Sequence, residues 1–218
     1  MTTLLLYLLR HGETDWNVEQ RIQGVSDTVL NDVGVAQAEA LACALRERPI
    51  VRVYASPLMR ARRTAEIVAQ AVGAPLHEEA GIAELNQGEL EGEPFRRLPE
   101  THPDFMHVWW NQPAHARMPG GETLAELQER AWATMERFLT AHENEVIAAV
   151  SHNLAIIMIL CRILGVELNG FRRLRQHNAA MNIIEHTPER GWSVVTMNSL
   201  AHLQDAPVSE RNPYQPYI

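Results

Sequence analysis

Short runs of apolar residues alternate along this chain with longer amphipathic stretches. The runs at 4–9, 50–55 and 146–150 are apolar or β-branched almost throughout, as is typical of strands buried on both faces of a sheet. The runs at 180–186 and 192–198 flank the turn-forming letters PERG. They predict a final pair of antiparallel strands.

The segments between the strands carry apolar residues at helical spacing. Four helices are expected, at 33–46, 57–73, 124–142 and 152–165. Asn31 and Ser56 are suitable N-caps for the first two, and Pro57 then occupies the first position of the second helix. Thr123 with Glu126 three residues later forms a capping box for the third helix.

Alternation of strands and helices predicts one α/β domain over residues 1–204. We expect a three-layer α/β/α sandwich with a mostly parallel central sheet, to which a short strand at 75–77 belongs. Residues from about 88 to 118 show no clear period and predict a cap-like excursion over the end of the sheet. Residues 205–218 form a polar, proline-rich tail.

The composition restricts the partners and the compartment. A formal net charge of −8 weighs against a nucleic-acid partner, because nucleic-acid-binding proteins usually carry a basic excess. The 4–9 run is too short for a signal peptide, and no run approaches the ~18 apolar residues of a membrane helix. We therefore expect a cytoplasmic protein with no membrane partner. Cys43 and Cys161 are then interpreted as small buried residues in a reducing compartment.

Basic side chains follow the predicted strands at the points where the strands end. Arg10 and His11 follow the first strand, Arg60 lies one turn into the helix after the second, and His152 follows the 146–150 strand. Because the carboxyl ends of parallel strands meet at one edge of a sheet, these side chains are expected to converge. The positive end of the helix dipole repels an arginine at the helix N-terminus, unless a bound anion contacts both the arginine and the helix N-terminus. The pattern predicts an anion site.

Phosphate is the anion that suits this set of groups. Guanidinium groups bind phosphate oxygens in pairs, and two arginines, two histidines and two helix N-termini match a phosphate with three free oxygens. The P-loop motif GxxxxGK[ST] and an aspartate cluster for Mg²⁺ are absent from the sequence, so no metal or cofactor is expected. A histidine nucleophile then remains, and neighbouring cations would lower its pKa and keep its lone pair free.

An ester leaving group also needs a proton donor. The segment GIAELNQGELEG offers three carboxylates, Glu84, Glu89 and Glu91. Glu84 follows an apolar pair and is expected to point into the cleft. We interpret Glu89 and Glu91 as solvated loop carboxylates.

These motifs resemble the histidine phosphatase superfamily, in its phosphoglycerate-mutase-like branch. The resemblance extends from about residue 4 to about residue 203. It rests on segments that occur in the order of that family: LLRHGETDWN, RIQG, LNDVGVAQA, YASPLMRARRTA, AELNQGELEG, PGGET and VSHN. RHG alone is a weak signal, whereas the ordered set is specific.

The resemblance implies a role for each matched position. His11 would be the phosphorylated nucleophile, Arg10 and Arg60 would hold phosphate oxygens, and His152 would stabilise charge in the transition state. Glu84 would protonate the leaving group and then activate water. Further phosphate- or substrate-binding positions are implied at Asn17, Gln23, Gly24 and Asn153. The last stands where many members have glycine, and would add an amide beside the substrate.

Two activities share this first chemical step. In the family, mutases have longer chains and a longer, more basic insert after the acidic residue. Here the insert at 93–118 carries Arg96, Arg97 and Arg117, with aromatic residues that form either an apolar substrate cap or a small satellite core. The stretch QHNAAMNIIEH also resembles the one in phosphoserine-type phosphatases of the family. We therefore favour a metal-independent phosphomonoesterase, of a broad-specificity or phosphoserine type, acting on a small phosphorylated metabolite. A phosphoglycerate mutase is the alternative, and a non-catalytic phospho-ligand binder is a lesser one. The sequence is compatible with a homodimer.

Overall fold

A six-stranded sheet lies at the centre of the structure, a computed structural model that describes residues 3–204. Its strands are β1 (Leu4–Arg10), β2 (Ile50–Ala55), β3 (Leu76–Glu78), β4 (Glu145–Ser151), β5 (Met181–Thr187) and β6 (Gly191–Ser199). They lie in the order β3-β2-β4-β1-β5-β6, and the first four run parallel to one another. β5 is antiparallel to β1, and β6 to β5. The prediction of a mostly parallel sheet is confirmed.

Seven α-helices connect and flank the strands in the part of the chain that the structure describes. They are α1 (Asp15–Val18), α2 (Asp32–Leu45), α3 (Met59–Val72), α4 (Leu98–Thr101), α5 (Pro103–Asn111), α6 (Leu124–Ala141) and α7 (Asn153–Leu164). The predicted caps are present on α2, where Asn31 accepts the Gly34 N–H, and on α6, where Thr123 and Glu126 form the capping box.

The predicted start of α3 is wrong. Its N-cap is Leu58, without a side-chain hydrogen bond, so Ser56 and Pro57 lie before the helix. Ser56 Oγ instead contacts a histidine across the sheet edge, because its position directly after β2 brings it to the end of β4.

Helices cover both faces of the sheet, which confirms the three-layer arrangement. On one face Tyr7 and Leu9 pack in a core with apolar residues of α2 and α3. On the other face Leu6 and Leu8 pack with apolar residues of α6 and α7. Successive residues of β1 alternate between the two cores, as the pleat of a strand requires.

The excursion at 88–118 contains helices that its sequence does not reveal. Prolines and histidines interrupt its apolar period, yet α4 and α5 form there. Trp109 of α5 is buried against Phe105 and Phe171 and belongs to the same core as α6 and α7. Trp110 is exposed. Trp109 is therefore part of the main core, and forms neither an apolar substrate cap nor a separate satellite.

The cysteine prediction is half correct. Cys161 in α7 is buried, but Cys43 lies on the exposed side of α2. Within residues 3–204 no helix has the length and apolar character needed to cross a membrane. The predicted tail at 205–218 lies outside the described residues.

Candidate active site

Two histidines leave the sheet side by side. Arg10 and Ser151 are register partners on β1 and β4, so the residues after them, His11 and His152, emerge at adjacent points. The His11 N–H donates to the Ser151 carbonyl at 3.1 Å. The two imidazole rings lie 5.1 Å apart, centroid to centroid, at 55° to each other.

His11 has one ring nitrogen committed to a hydrogen bond. Its Nδ1 lies 2.6 Å from the Gly12 carbonyl oxygen, which can only accept, so Nδ1 carries the proton and Nε2 carries the lone pair. Burial lowers the pKa of His11 well below 6.5, and the charges of Arg60 and Arg10 lower it further. The predicted direction is confirmed, although burial is the larger cause.

His152 is held by a serine that the sequence analysis assigned to a helix cap. Its Nε2 lies 2.7 Å from Ser56 Oγ, and its Nδ1 has no hydrogen-bond partner in the described structure. Burial, followed by the charge of Arg60, lowers the pKa of His152 well below 6.5. Both histidines are therefore neutral at neutral pH.

The two predicted arginines are buried and are anchored by backbone oxygens. Arg10 Nη1 donates to the Gln176 carbonyl. Arg60 Nη2 donates to Gly24 O at 2.7 Å and Nη1 to Ser26 O at 2.8 Å, which leaves its Nε without a partner. Burial lowers the pKa of Arg60 to about 10, so the guanidinium is still charged at neutral pH.

Glu84 is buried at the start of α7. Its Oε1 accepts the Leu85 N–H at 2.9 Å and the Ala155 N–H at 3.2 Å, and its Oε2 accepts the Leu154 N–H at 3.2 Å. His152, at the N-cap position, makes no side-chain cap hydrogen bond, so the Glu84 carboxylate caps the N-terminus of α7 instead.

This arrangement corrects the expectation that both helix N-termini bind the anion. The first-turn N–H groups of α7 already bond Glu84, and the Met59 N–H at the start of α3 donates to Asp27 Oδ1 at 2.7 Å. The positive charge that remains for an anion comes mainly from the arginines.

Two amide side chains implied by the family resemblance share a common anchor. Thr14 Oγ1 lies 3.0 Å from Asn17 Oδ1 and 3.1 Å from Gln23 Oε1. Gln23 Oε1 also accepts the Thr28 hydroxyl, and Asn17 Oδ1 also accepts an amide N–H of Asn178. Because the two oxygens are used as acceptors, each residue turns its NH₂ group, a donor, away from this anchor.

The two other implied positions lie next to these groups. Gly24 has a φ of +52°, and its carbonyl holds Arg60 as described above. Asn153 is the first residue of α7, and its Oδ1 is buried without a hydrogen-bond partner in the described residues.

Of the two carboxylates interpreted as solvated, only Glu89 is exposed. The interpretation of Glu91 is wrong. Its carboxylate accepts hydrogen bonds from Val25 N, Gln87 N and Ser26 Oγ. The bonds to Val25 and Ser26 join segments far apart in sequence, so no local sequence pattern predicts them.

The segment before β5 also belongs to the site, although no site residue was predicted there. Gln176 anchors Arg10, Asn178 Nδ2 donates to Asn17 Oδ1 at 3.0 Å, and the Ala179 N–H donates to His11 O at 2.9 Å. β5 is antiparallel to β1, so its start lies at the same edge as the carboxyl ends of β1 and β4. This segment precedes an antiparallel strand, so the carboxyl ends of the parallel strands do not predict it. The run of amides in QHNAAMN was the available signal.

No group of three or more histidine, cysteine, aspartate or glutamate side chains is placed to hold a metal ion anywhere in residues 3–204. The site thus combines a neutral imidazole, a second neutral imidazole, two buried guanidinium groups and a buried carboxylate.

A mostly parallel α/β/α sandwich with two neighbouring histidines at the ends of β1 and β4 defines the class of histidine phosphatases. The family model of the histidine phosphatase superfamily (branch 1) matches residues 6–200, and the chain belongs to this family.

Relatives within the family have different names. The chain is 35% identical to the probable phosphoglycerate mutase GpmB of Erwinia tasmaniensis, over 95% of this chain and 98% of that protein. Among solved structures it resembles YhfR of Bacillus stearothermophilus, with a TM-score of 0.87 and 27% identity over 92% of this chain and 100% of that one. It also resembles the phosphoserine phosphatase of Entamoeba histolytica, solved with phosphoserine, at a TM-score of 0.82 and 25% identity over 92% and 99%.

Proposed function

We propose that this protein is a phosphomonoesterase that hydrolyses small phosphate esters through a phosphohistidine on His11. The observation that carries the proposal is the geometry of His11. Its Nδ1 proton is held by the Gly12 carbonyl and its pKa is low, so Nε2 offers a lone pair beside two guanidinium groups. That is the state a nucleophile requires.

The proposed reaction has two steps. His11 Nε2 attacks phosphorus, the P–O ester bond breaks, and Glu84 in its protonated form gives its proton to the leaving oxygen. Water then attacks the phosphohistidine, Glu84 takes a proton from that water, and orthophosphate leaves with His11 restored. Arg10, Arg60 and His152 would stabilise the phosphoryl oxygens, supplying charge that a metal ion supplies in other phosphoryl-transfer sites.

A phosphoglycerate mutase is the second candidate, because curated relatives with about a third of their residues identical carry that name. A mutase must also bind the acidic group of a phosphoglycerate. Arg117, one candidate for that contact, is paired with Glu126 at 2.6 Å and donates to the Gly121 carbonyl. This pairing favours the phosphatase. The substrate we propose is a small phosphorylated metabolite of the cytoplasm.

The test is turnover of p-nitrophenyl phosphate in a metal-free buffer with EDTA. The protein should release phosphate and form an acid-labile, base-stable phosphoenzyme, whereas His11→Asn should lose both. Loss of activity with EDTA would contradict the metal-independent mechanism. Normal turnover by His11→Asn would contradict the nucleophile. Isomerisation of a monophosphoglycerate in the presence of 2,3-bisphosphoglycerate, faster than its hydrolysis, would favour the mutase.

A further inference from the structure

Glu91 joins two segments that both belong to the candidate site. It follows Glu84 by a short turn, and its Oε1 accepts the Val25 N–H at 2.9 Å and the Gln87 N–H at 3.2 Å. Its Oε2 accepts the Ser26 hydroxyl at 2.5 Å. One carboxylate thus ties the segment that carries Glu84 to the 23–28 loop.

The same loop holds the guanidinium of Arg60. The peptide group between Gly24 and Val25 is bonded at both ends: its carbonyl accepts Arg60 Nη2, and its N–H donates to Glu91. In a planar trans peptide these two groups point in opposite directions, so the arginine and the carboxylate lie on opposite sides of one peptide unit. Hydrogen bonds in such a chain polarise one another and strengthen each bond.

Sterics and charge agree with this connection. A Cβ on Gly24 would lie 2.1 Å from Glu91 Oε1, so glycine, at a φ of +52°, permits the carboxylate to approach the loop. Burial lowers the pKa of Arg60, and the negative charges of Glu84, Asp27 and Glu91 oppose that effect. Glu91 therefore supports the arginine through both the backbone and its charge.

We propose that Glu91 is a positioning residue for Arg60, holding the guanidinium in the geometry that binds the phosphoryl group. The proposal rests on the proposed function in one respect, that Arg60 binds phosphate. It makes Glu91, which touches no reacting atom, a determinant of affinity for the phosphoryl group.

The primary experiment measures orthophosphate binding by calorimetry, independently of turnover. Glu91→Gln keeps the size of the side chain but removes its charge and turns an NH₂ group toward one of its donors. The dissociation constant for orthophosphate should rise about tenfold, and kcat/KM for p-nitrophenyl phosphate should fall by at least as much. Glu89→Gln, an exposed carboxylate two residues away, is the matched control and should change neither value.

A double-mutant cycle separates this role from general support of the fold. If Glu91 acts through Arg60, adding Glu91→Gln to Arg60→Lys should weaken orthophosphate binding little beyond Arg60→Lys alone. Independent, multiplicative effects would overturn the proposal, as would a lowered melting temperature with an unchanged orthophosphate constant.

Two safeguards keep the result interpretable. If Glu91→Gln does not fold, Ser26→Ala removes one of the same hydrogen bonds and should raise the orthophosphate constant by a smaller factor. No change there would overturn the proposal. If the wild-type protein binds orthophosphate with the predicted coupling but shows no turnover, the proposed function fails and the role of Glu91 stands.

Discussion

At the scale of single residues, hydrogen bonds to specific atoms orient three of the candidate catalytic side chains. The Gly12 carbonyl holds Nδ1 of His11, Ser56 Oγ holds Nε2 of His152, and Glu84 accepts three backbone N–H groups. Orientation of this kind lowers the cost of reaching the reactive geometry, because the side chains are already in place when the substrate binds.

Glu84 permits a prediction based on the leaving group. Glu84→Gln should lower kcat/KM for an alkyl phosphate about 100-fold or more, because an alkoxide needs a proton as it leaves. p-Nitrophenolate leaves without that help, so the loss with p-nitrophenyl phosphate should be much smaller. The ratio of the two kcat/KM values is the measurement, because kcat/KM reports the step that expels the leaving group and not the later attack of water. Equal losses would show that Glu84 does not act as the acid.

At the scale of elements, the backbone after β1 and the backbone of helix α2 approach each other closely at two glycines, Gly12 and Gly34. A Cβ on Gly12 would lie 2.3 Å from the Gly34 carbonyl oxygen, and a Cβ on Gly34 would lie 2.1 Å from the Glu13 carbonyl oxygen. Both distances are far inside van der Waals contact, so neither position accepts a side chain without movement of the backbone. This contact fixes the segment that carries His11 against α2.

Helix propensity and tertiary packing predict opposite effects of Gly34→Ala on the free energy of unfolding. Propensity alone predicts that alanine stabilises α2 by up to about 1 kcal/mol. The close approach to Glu13 predicts instead a loss of about 2 kcal/mol in the free energy of unfolding. Urea denaturation measures the sign. Glu39→Ala, on the exposed side of α2, is the control and should stay within about 0.5 kcal/mol of the wild type. A Gly34→Ala protein more stable than wild type would refute the steric argument.

At the scale of the whole molecule, the fold buries two neutral histidines in a positively charged environment. Arg10 and Arg60 stand beside both rings, and their charges act in the same direction as burial on the two pKa values. This environment opposes protonation of the two rings and attracts an anion.

The free energy of unfolding should therefore depend on pH below about 6.5. The pKa values of His11 and His152 lie well below 6.5 in the folded state, so below pH 6.5 the unfolded chain binds more protons than the folded one. The free energy of unfolding should then fall as the pH falls, by up to about 1.4 kcal/mol per pH unit for each histidine. Urea unfolding on both sides of pH 6.5 measures the slope. His11→Asn should reduce it, and an unchanged slope would contradict the pKa directions.

The architecture and the central residues of the site could be predicted from the sequence. Buried-strand runs, the caps of α2 and α6, and polar residues directly after the strands are local features, so β1, β4, His11 and His152 could be predicted from neighbouring residues. Arg10 and Arg60 followed because strand ends in a parallel sheet share an edge, and Glu84 followed because it comes directly after an apolar pair in its loop.

The groups that hold those side chains are set by contacts between distant segments of the chain. Ser26 and Glu91 are 65 residues apart, Ser56 and His152 are 96 apart, and Arg10 and Gln176 are 166 apart. A hydrogen bond between distant segments depends on how the chain folds back, and a carboxylate that caps a remote loop has the same local sequence as one in water. For this reason the hydrogen bonds that Glu91, Ser56 and residues 176–180 make in the site could not be predicted from the sequence.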